Sequence, residues 1–271
     1  LFTSTKAACS GYAGRPGVHR TMGIMYLLAL AALLAIWQIG SLALGEFLLP
    51  RPLDVLAYFG EALTTGAFWQ HAGASAWRVL SAMSLAWLVA FPLGLILGHV
   101  RSVDNTLSPM VFLTYPLPKI VLLPLFLTLF GLGDLPRVLL IALTTGYQIL
   151  VVTRASAQGL DKKYLDSFRS LGGTPLQMLR HVLIPAALPD AMTALKVASG
   201  TAVAVLFMAE SFATRRGLGF LIMDAWGRGD QLEMFTGILA MSLLGVALYE
   251  LCNVLETRSC RWRNFHMAGK R

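Results

Sequence analysis

Charge is what this chain has least of. Only 13% of its 271 residues are Asp, Glu, Lys or Arg, well under the roughly 25% usual in soluble domains. With 56% hydrophobic residues and a mean hydropathy of +0.66, an ordinary water-soluble domain is excluded and a polytopic membrane protein is expected. Cysteine is scarce too. Cys9, Cys252 and Cys260 show neither disulfide nor metal-ligand spacing and read as unpaired thiols. His19, His71, His99, His181 and His266 fall at no ligand spacing, so no metal site is expected. No Gly-x-x-x-x-Gly-Lys-Ser/Thr stretch occurs, so no phosphate loop cradles a nucleotide. No Ser-His-Asp set or carboxylate pair shares one membrane depth, so an enzyme is not expected. The net charge of +8 is spread over loops and ends with no interleaved aromatics, which argues against nucleic acid as a partner.

Apolar runs fill the chain instead. Crossing the hydrocarbon takes about 20 apolar residues as a helix, and Gly23–Leu44 supplies them. The basic stretch before it, 1–21, is expected to be a largely disordered arm. It begins on Leu, with Met22 and Met25 just ahead of the apolar run, and reads as an upstream extension or a tag remnant. In 48–66, Pro52, Val55, Leu56, Phe59 and Leu63 recur at helical spacing and predict an amphipathic interfacial helix. Trp69 and Trp77 mark a membrane boundary. A second span is predicted over Val79–Val100, then a polar turn at Arg101–Asn105. The third, Leu107–Leu129, carries Pro109, Pro116, Pro118 and Pro124, which exclude a regular helix over its first half. A fourth span is expected over Arg137–Val152 and a fifth over Ala186–Glu210, the latter rich in small residues that allow close helix approach. An outer loop, Phe212–Gln231, and a sixth span, Leu232–Leu255, precede a basic tail over 258–271. The simplest organisation is one all-α domain of six transmembrane helices over 22–257.

Lys and Arg set the orientation. With the N-terminus in the cytoplasm, the inner segments hold Arg15, Arg20, Arg101, Arg154, the Lys162–Arg180 group and the basic tail. That is roughly twice the number of cations in the outer segments, which hold Arg51, Arg78, Arg137, Arg215, Arg216 and Arg228. Both termini are placed inside.

Between the fourth and fifth runs lies a polar island, Asp161–Pro189, too long for a simple turn. Tyr164, Leu165, Phe168 and Leu171 recur at three- and four-residue spacing and predict a short helix over Lys162–Leu171. Gly172 and Gly173 free the backbone to turn, Thr174 is a candidate N-cap, and Pro175 suits the first helical position. A second short helix carries Leu176, Leu179, Val182 and Leu183 on one side, and Pro185 and Pro189 are expected to punctuate its end. An amphipathic helix pair on the membrane face is built to be gripped by another protein.

These residues resemble the "EAA" coupling loop of binding-protein-dependent ABC transporter permeases. That pattern is Glu-Ala-Ala, three residues, Gly, nine residues, Ile, one residue, Leu-Pro. Here it reads Asp166-Ser167-Phe168, three residues, Gly172, nine residues, Val182, one residue, Ile184-Pro185. The spacing holds throughout, and Gly172 and Pro185 are kept, while Asp replaces Glu, Ser-Phe replaces Ala-Ala, and Val and Ile replace Ile and Leu. The likeness runs from about Leu49 to Glu256 and is nearest the nitrate/sulfonate/taurine type. It implies the type I (MetI-like) importer permease fold in a bacterial inner membrane. It also implies a homodimer, two cytoplasmic ATPase subunits that bind ATP and Mg in place of this chain, and an extracytoplasmic solute-binding protein. Coupling to the ATPase falls to 161–185, with Asp166, Ser167, Phe168, Leu171, Gly172, Gly173, Pro175, Val182 and Pro185 as its carriers. The cargo implied is a small, chiefly anionic solute such as nitrate, a sulfonate, taurine or bicarbonate.

Three other features bear on transport. Lys119 lies about ten residues into the third run, near mid-bilayer if helical. It reads as an electropositive point on an anion pathway or as a cap for carbonyls freed by Pro116, Pro118 and Pro124. Glu210, ending the fifth run, reads as a pathway residue or, preferably, as the partner of Arg215 or Arg216, with Arg78 also in reach. Arg215-Arg216-Gly217-Leu218-Gly219 resembles the Gly-Leu-Gly stretch of these permeases and is expected to help dock the binding protein, the alternative being a turn anchored on headgroup phosphates. The competing function is a carrier or channel driven without ATP. Such carriers often break helices in both halves, whereas the Pro-broken run occurs once here.

Overall fold

The computed structural model describes residues 18–260, and all its regular structure is helical. Residues 1–17 and 261–271, most of the expected arm and tail, lie outside the described residues. In order the helices are α1 (Val18–Leu44), α2 (Pro52–Ala62), α3 (Gly66–His99), α4 (Arg101–Thr114), α5 (Leu123–Phe130), α6 (Asp134–Gln158), α7 (Lys162–Ser170), α8 (Pro175–Met178), α9 (Ile184–Glu210), α10 (Leu218–Arg228) and α11 (Gln231–Ser259). Five spans are long and apolar enough to cross a membrane, and six if the bent pair α4–α5 is one span.

The bundle is built on α3, α6, α9 and α11. Small residues let these helices approach closely. On α9, Ala187, Ala191, Ala194, Ala198 and Ala202 recur three or four apart and are all buried. On α3, Gly94 meets Thr153 of α6, where an added Cβ would fall 2.7 Å from the threonine Cβ, and Gly98 meets Ala157 one turn on. α1 stays peripheral, with 6% of its apolar window buried against the rest of the chain.

Several expected boundaries are corrected. α1 begins at Val18, inside the arm assigned to 1–21. α3 starts at Gly66, so Trp69 and Trp77 lie within the helix rather than ahead of it; Thr65 caps it by accepting from Phe68 N. Arg101–Asn105 is helix, not a turn. Pro109 sits within α4 and Pro124 in the first turn of α5, a position that wastes no donor. The break falls between them, at Tyr115–Pro118, followed by a 3₁₀ turn over Lys119–Leu122 and a bend of 89°. The outer segment 212–231 is not all loop, since it contains α10.

The island departs from expectation at its second half. α8 does not stop at Pro185. It passes through a π turn, Leu179–Leu183, directly into α9, so Pro175–Glu210 is one helical element of 36 residues. A proline ring collides with the carbonyl four residues back in a regular helix. The wider π turn just before Pro185 relieves that collision at the cost of one extra residue. Pro189 likewise lies inside α9.

Candidate functional site

The elbow between α6 and α9 is a capped and hinged pair of helices. Asp161 opens α7 by accepting from Lys163 N at 3.0 Å. α7 ends at Ser170, and Gly172 turns the chain with φ of +77°, where a side chain is disfavoured. Thr174 and Gln177 then form a reciprocal capping box: the Thr174 hydroxyl accepts from Gln177 N, and Gln177 Oε1 accepts from Thr174 N at 2.9 Å. Pro175 takes the first helical turn, as expected. Phe168 folds inward so that its ring fills the space a Cβ on Gly173 would need. Met178 and Leu183 are buried, while Val182 and Pro185 are half-buried. Asp166 and Ser167 are exposed, Asp166 lying 3.7 Å from Arg169.

Among its exposed polar residues the elbow also leaves large apolar side chains uncovered. Leu171 is 86% exposed, Leu176 75%, and Tyr164 is open as well. Behind α7 a cleft of about 990 Å³ runs along Val100, Arg101, Asp104 and Gln158 to Leu165 and Arg169. There Arg154 of α6 donates twice to the Asp104 carboxylate, at 2.6 and 2.8 Å, and Gln158 donates to it at 2.9 Å, pinning the start of α4 to the end of α6.

At the other end of the bundle, Glu210 is wholly buried. Its carboxylate accepts from Arg78 (2.7 Å), Ser75 (2.8 Å) and Gly219 N (2.9 Å). Arg78, also buried, donates in addition to Asp134 (2.7 Å) and to the Arg216 carbonyl (2.7 Å). Glu210 thus has its ion pair with Arg78, not with Arg215 or Arg216, and it lines no open passage in this structure. Arg215 and Arg216 present exposed side chains, whereas Gly217 is buried. With φ of +129° and the Glu210 carboxylate where a Cβ would sit, only glycine fits at 217. Arg137 is buried as well and spends its guanidinium on carbonyls, those of Leu132, Gly133, Ala209, Phe212 and Ala213. A cation there meets the carbonyl end of α9 and holds Ala213 at φ of +53°.

Lys119 sits at the α4–α5 bend. Its Nζ donates to the Tyr115 carbonyl, freed by the break, and lies 4.4 Å from the Tyr147 ring centre and 5.2 Å from that of Tyr115. The Tyr147 hydroxyl pairs with Thr114 at 2.8 Å.

Against known protein families, residues 90–259 match the model for the "binding-protein-dependent transport system inner membrane component". The chain belongs to this family. The taurine transport system permease protein TauC of Escherichia coli (strain K12) is 30% identical to this permease, over 86% of this chain and 87% of TauC. The riboflavin transport system permease protein RibX of Chloroflexus aurantiacus is 32% identical, over 86% of this chain and 88% of RibX. The permease SsuC of Bacillus subtilis (strain 168), named for aliphatic sulfonates transport, is 28% identical over 92% and 91%. Among solved structures, one of the MetNI methionine ABC transporter in inward-facing conformations superposes on this permease with a TM-score of 0.62 at 18% identity, covering 69% of this chain and 94% of that one, which establishes the shared fold. Membership decides for the ABC importer permease and against the carrier driven without ATP.

Sequence reasoning missed several of the permease's polar ties. Arg137 was not read as a buried carbonyl anchor, nor Asp134, itself exposed, as a partner of the buried Arg78, nor was the Lys196–Glu256 pair (2.5 Å) that joins α9 to α11. The available signal was depth alone: a charge inside an apolar run needs a partner at the same level of a neighbouring span. Nothing in the linear order says which span is the neighbour.

Proposed function

We propose that this permease forms the translocation path of an ATP-driven importer as a pair of identical copies. Two cytoplasmic ATPase subunits hold ATP and Mg and grip the elbow, and an extracytoplasmic binding protein delivers a small anionic solute. The elbow lies inside, as do both termini. The observation that carries this reading is the elbow itself. Its helices are capped at both starts and hinged at Gly172, and they leave Leu171 and Leu176 almost bare, uncovered by any other of the described residues. Because α8 continues into α9, a push on those side chains is delivered along a rod of 36 residues. Arg215 and Arg216 offer the binding protein a cationic edge at the far end of that rod. Two supports favour an anionic cargo: the sulfonate-named and taurine-named relatives, and Lys119 at the bend.

The test is the reconstituted transporter with its ATPase and binding protein. Gly172→Val strains a left-handed residue by roughly 1–2 kcal/mol, and Leu171→Asp puts charge into the grip. Both variants are expected to insert normally and to lose substrate-stimulated ATP hydrolysis. Full stimulation in both would overturn the assignment of the elbow as the coupling surface.

A further inference from the structure

At the Glu210 end of the bundle, α2 and the first turns of α3 meet α10 and α11 and leave a cavity of about 230 Å³. Its polar lining comes from Tyr58 and Glu61 of α2, His71 of α3, and Glu233 and Thr236 of α11, and no Lys or Arg lines it. The charges there do not balance. Glu233 Oε2 accepts from Arg228 at 2.5 Å, but that guanidinium is shared with Asp224. Glu233 Oε1 has no donor, and Glu61 no cation partner, among the described residues. The Tyr58 phenol senses the same surplus. Its pKa is raised by burial first, then by Glu233, Asp230 and Glu61, against a lowering by Arg228.

One hydroxyl in the lining is unpaired. Thr236 is 1% exposed, and its Oγ1 has no hydrogen-bond partner among the described residues. Thr144, Thr145 and Thr193 satisfy theirs on carbonyls of their own helices. Ser41 and Thr153 are unpaired as well, but neither lines this cavity. A buried hydroxyl without a partner is costly, and a donor held in the cavity would supply one. No set of three His, Cys, Asp or Glu among the described residues could hold a metal ion, so the cation that suits this place is one bound by hydrogen bonds. Leu53 and Leu56 of α2 are bare, and Trp69, also exposed, donates Nε1 to the Leu63 carbonyl at 2.8 Å. An amphipathic helix and a tryptophan with a polar tie set the cavity at headgroup depth.

We propose that this cavity binds a primary ammonium group, carried either by the aminoethyl end of a phosphatidylethanolamine headgroup or by a free alkylamine. The three N–H donors of such a group match the Glu61 carboxylate, the spare oxygen of Glu233 and the hydroxyls of Tyr58 and Thr236. A choline head, with no N–H, cannot make these bonds. His71 carries the effect outward. Its Nδ1 lies 3.1 Å from the Gly217 carbonyl and 3.2 Å from Gly217 N, and its ring stacks on Phe220. An occupant of the cavity therefore braces the 215–219 loop.

The experiment places a thiol at the cavity with Ala67→Cys, an exposed lining position. The complete transporter is held in lipid nanodiscs in a Cys9→Ser background, since Cys252 and Cys260 are buried. In phosphatidylcholine discs, the cationic aminoethyl methanethiosulfonate is expected to react about tenfold faster than the anionic sulfonatoethyl reagent. Occupancy is expected to slow the aminoethyl reagent about fivefold. Slowing when phosphatidylethanolamine replaces part of the lipid, with free ethanolamine inert, assigns the ammonium to the headgroup. Slowing by ethanolamine in phosphatidylcholine discs assigns it to a free amine, and free choline is expected to give none. Thr236→Val is expected to remove the protection and Thr236→Ser to keep it. Glu61→Gln, at an exposed position, carries the same expectation as Thr236→Val should that variant fail to insert. No slowing by either amine, slowing by the binding protein alone, or protection undiminished in Thr236→Val and Glu61→Gln overturns the proposal. Each of these outcomes leaves the permease reading, tested at the elbow, where it stood.

Discussion

Glu210 ends α9 with no exposed surface, and its carboxylate gathers groups from two other helices: Ser75 and Arg78 of α3, and Gly219 of α10. Arg78 extends the tie to Asp134 at the start of α6 and to the Arg216 carbonyl. Removing one partner of a buried pair strands the other charge, at about 3–5 kcal/mol, whereas replacing both with apolar groups often costs little. Glu210→Ala is therefore expected to lower the thermal midpoint of the detergent-solubilised permease sharply. Arg78→Met combined with Glu210→Leu is expected to recover part of the loss, and Arg215→Ala, at an exposed position, to change little. Glu210→Ala as stable as Arg215→Ala would show that the pair holds nothing together. Sequence alone favoured Arg215 and Arg216, five and six residues away, and named Arg78 only as also in reach. The fold instead brings Arg78 across from a different span, 132 residues distant.

At the level of the element, the π turn is the feature with mechanical meaning. It inserts one residue between the exposed Leu176, on the proposed coupling surface, and the rod of α9, and one residue in a helix is about 100° of rotation. Deleting His181 is expected to restore regular winding, turn α7 and α8 by about that angle relative to α9, and abolish stimulated ATP hydrolysis with insertion intact. Retained stimulation would mean that the phase of the elbow is irrelevant. The elbow shows how far local chemistry can be read. The Thr174 cap, Pro175 in the first turn and the Gly172 turn were legible because each is dictated by its own few residues. Pro185 was misread as a terminator because its collision is relieved by a turn with no sequence signature of its own. Arg101–Asn105 was misread because polar residues there are held helical by Arg154 and Gln158 from α6. The helical spans were legible from hydropathy. The charged ties between them were not, since they depend on which helices become neighbours.

For the whole molecule, the two ends of α9 are held in different ways. The Ile184 end, proposed to be the inner one, continues into an elbow with bare apolar side chains and a cleft of about 990 Å³ behind α7. The Glu210 end, proposed to be the outer one, is tied through the Glu210 carboxylate, and carbonyls at and just beyond it are held by Arg137. A rod free at one end and anchored at the other moves mostly at the free end unless the anchors travel with it. Alternating access in a two-copy transporter requires the second case: inner ends closing while outer ends part. The ties predict that α3, α6 and α10 move with α9 as one block, because Arg78 and Arg137 bind their outer ends together. With spin labels on Leu171→Cys in both copies, nucleotide binding is expected to shorten the distance between them. Labels on Arg215→Cys are expected to move apart in the same step. In the Glu210→Gln background, which removes the charge from the tie, the inner distance is expected to shorten still while the outer one changes less. An outer distance that stays fixed in the unmodified ties, with the inner one shortening, would show that α9 bends partway, with Gly200 the natural place, and that the outer network is an anchor rather than part of the moving block.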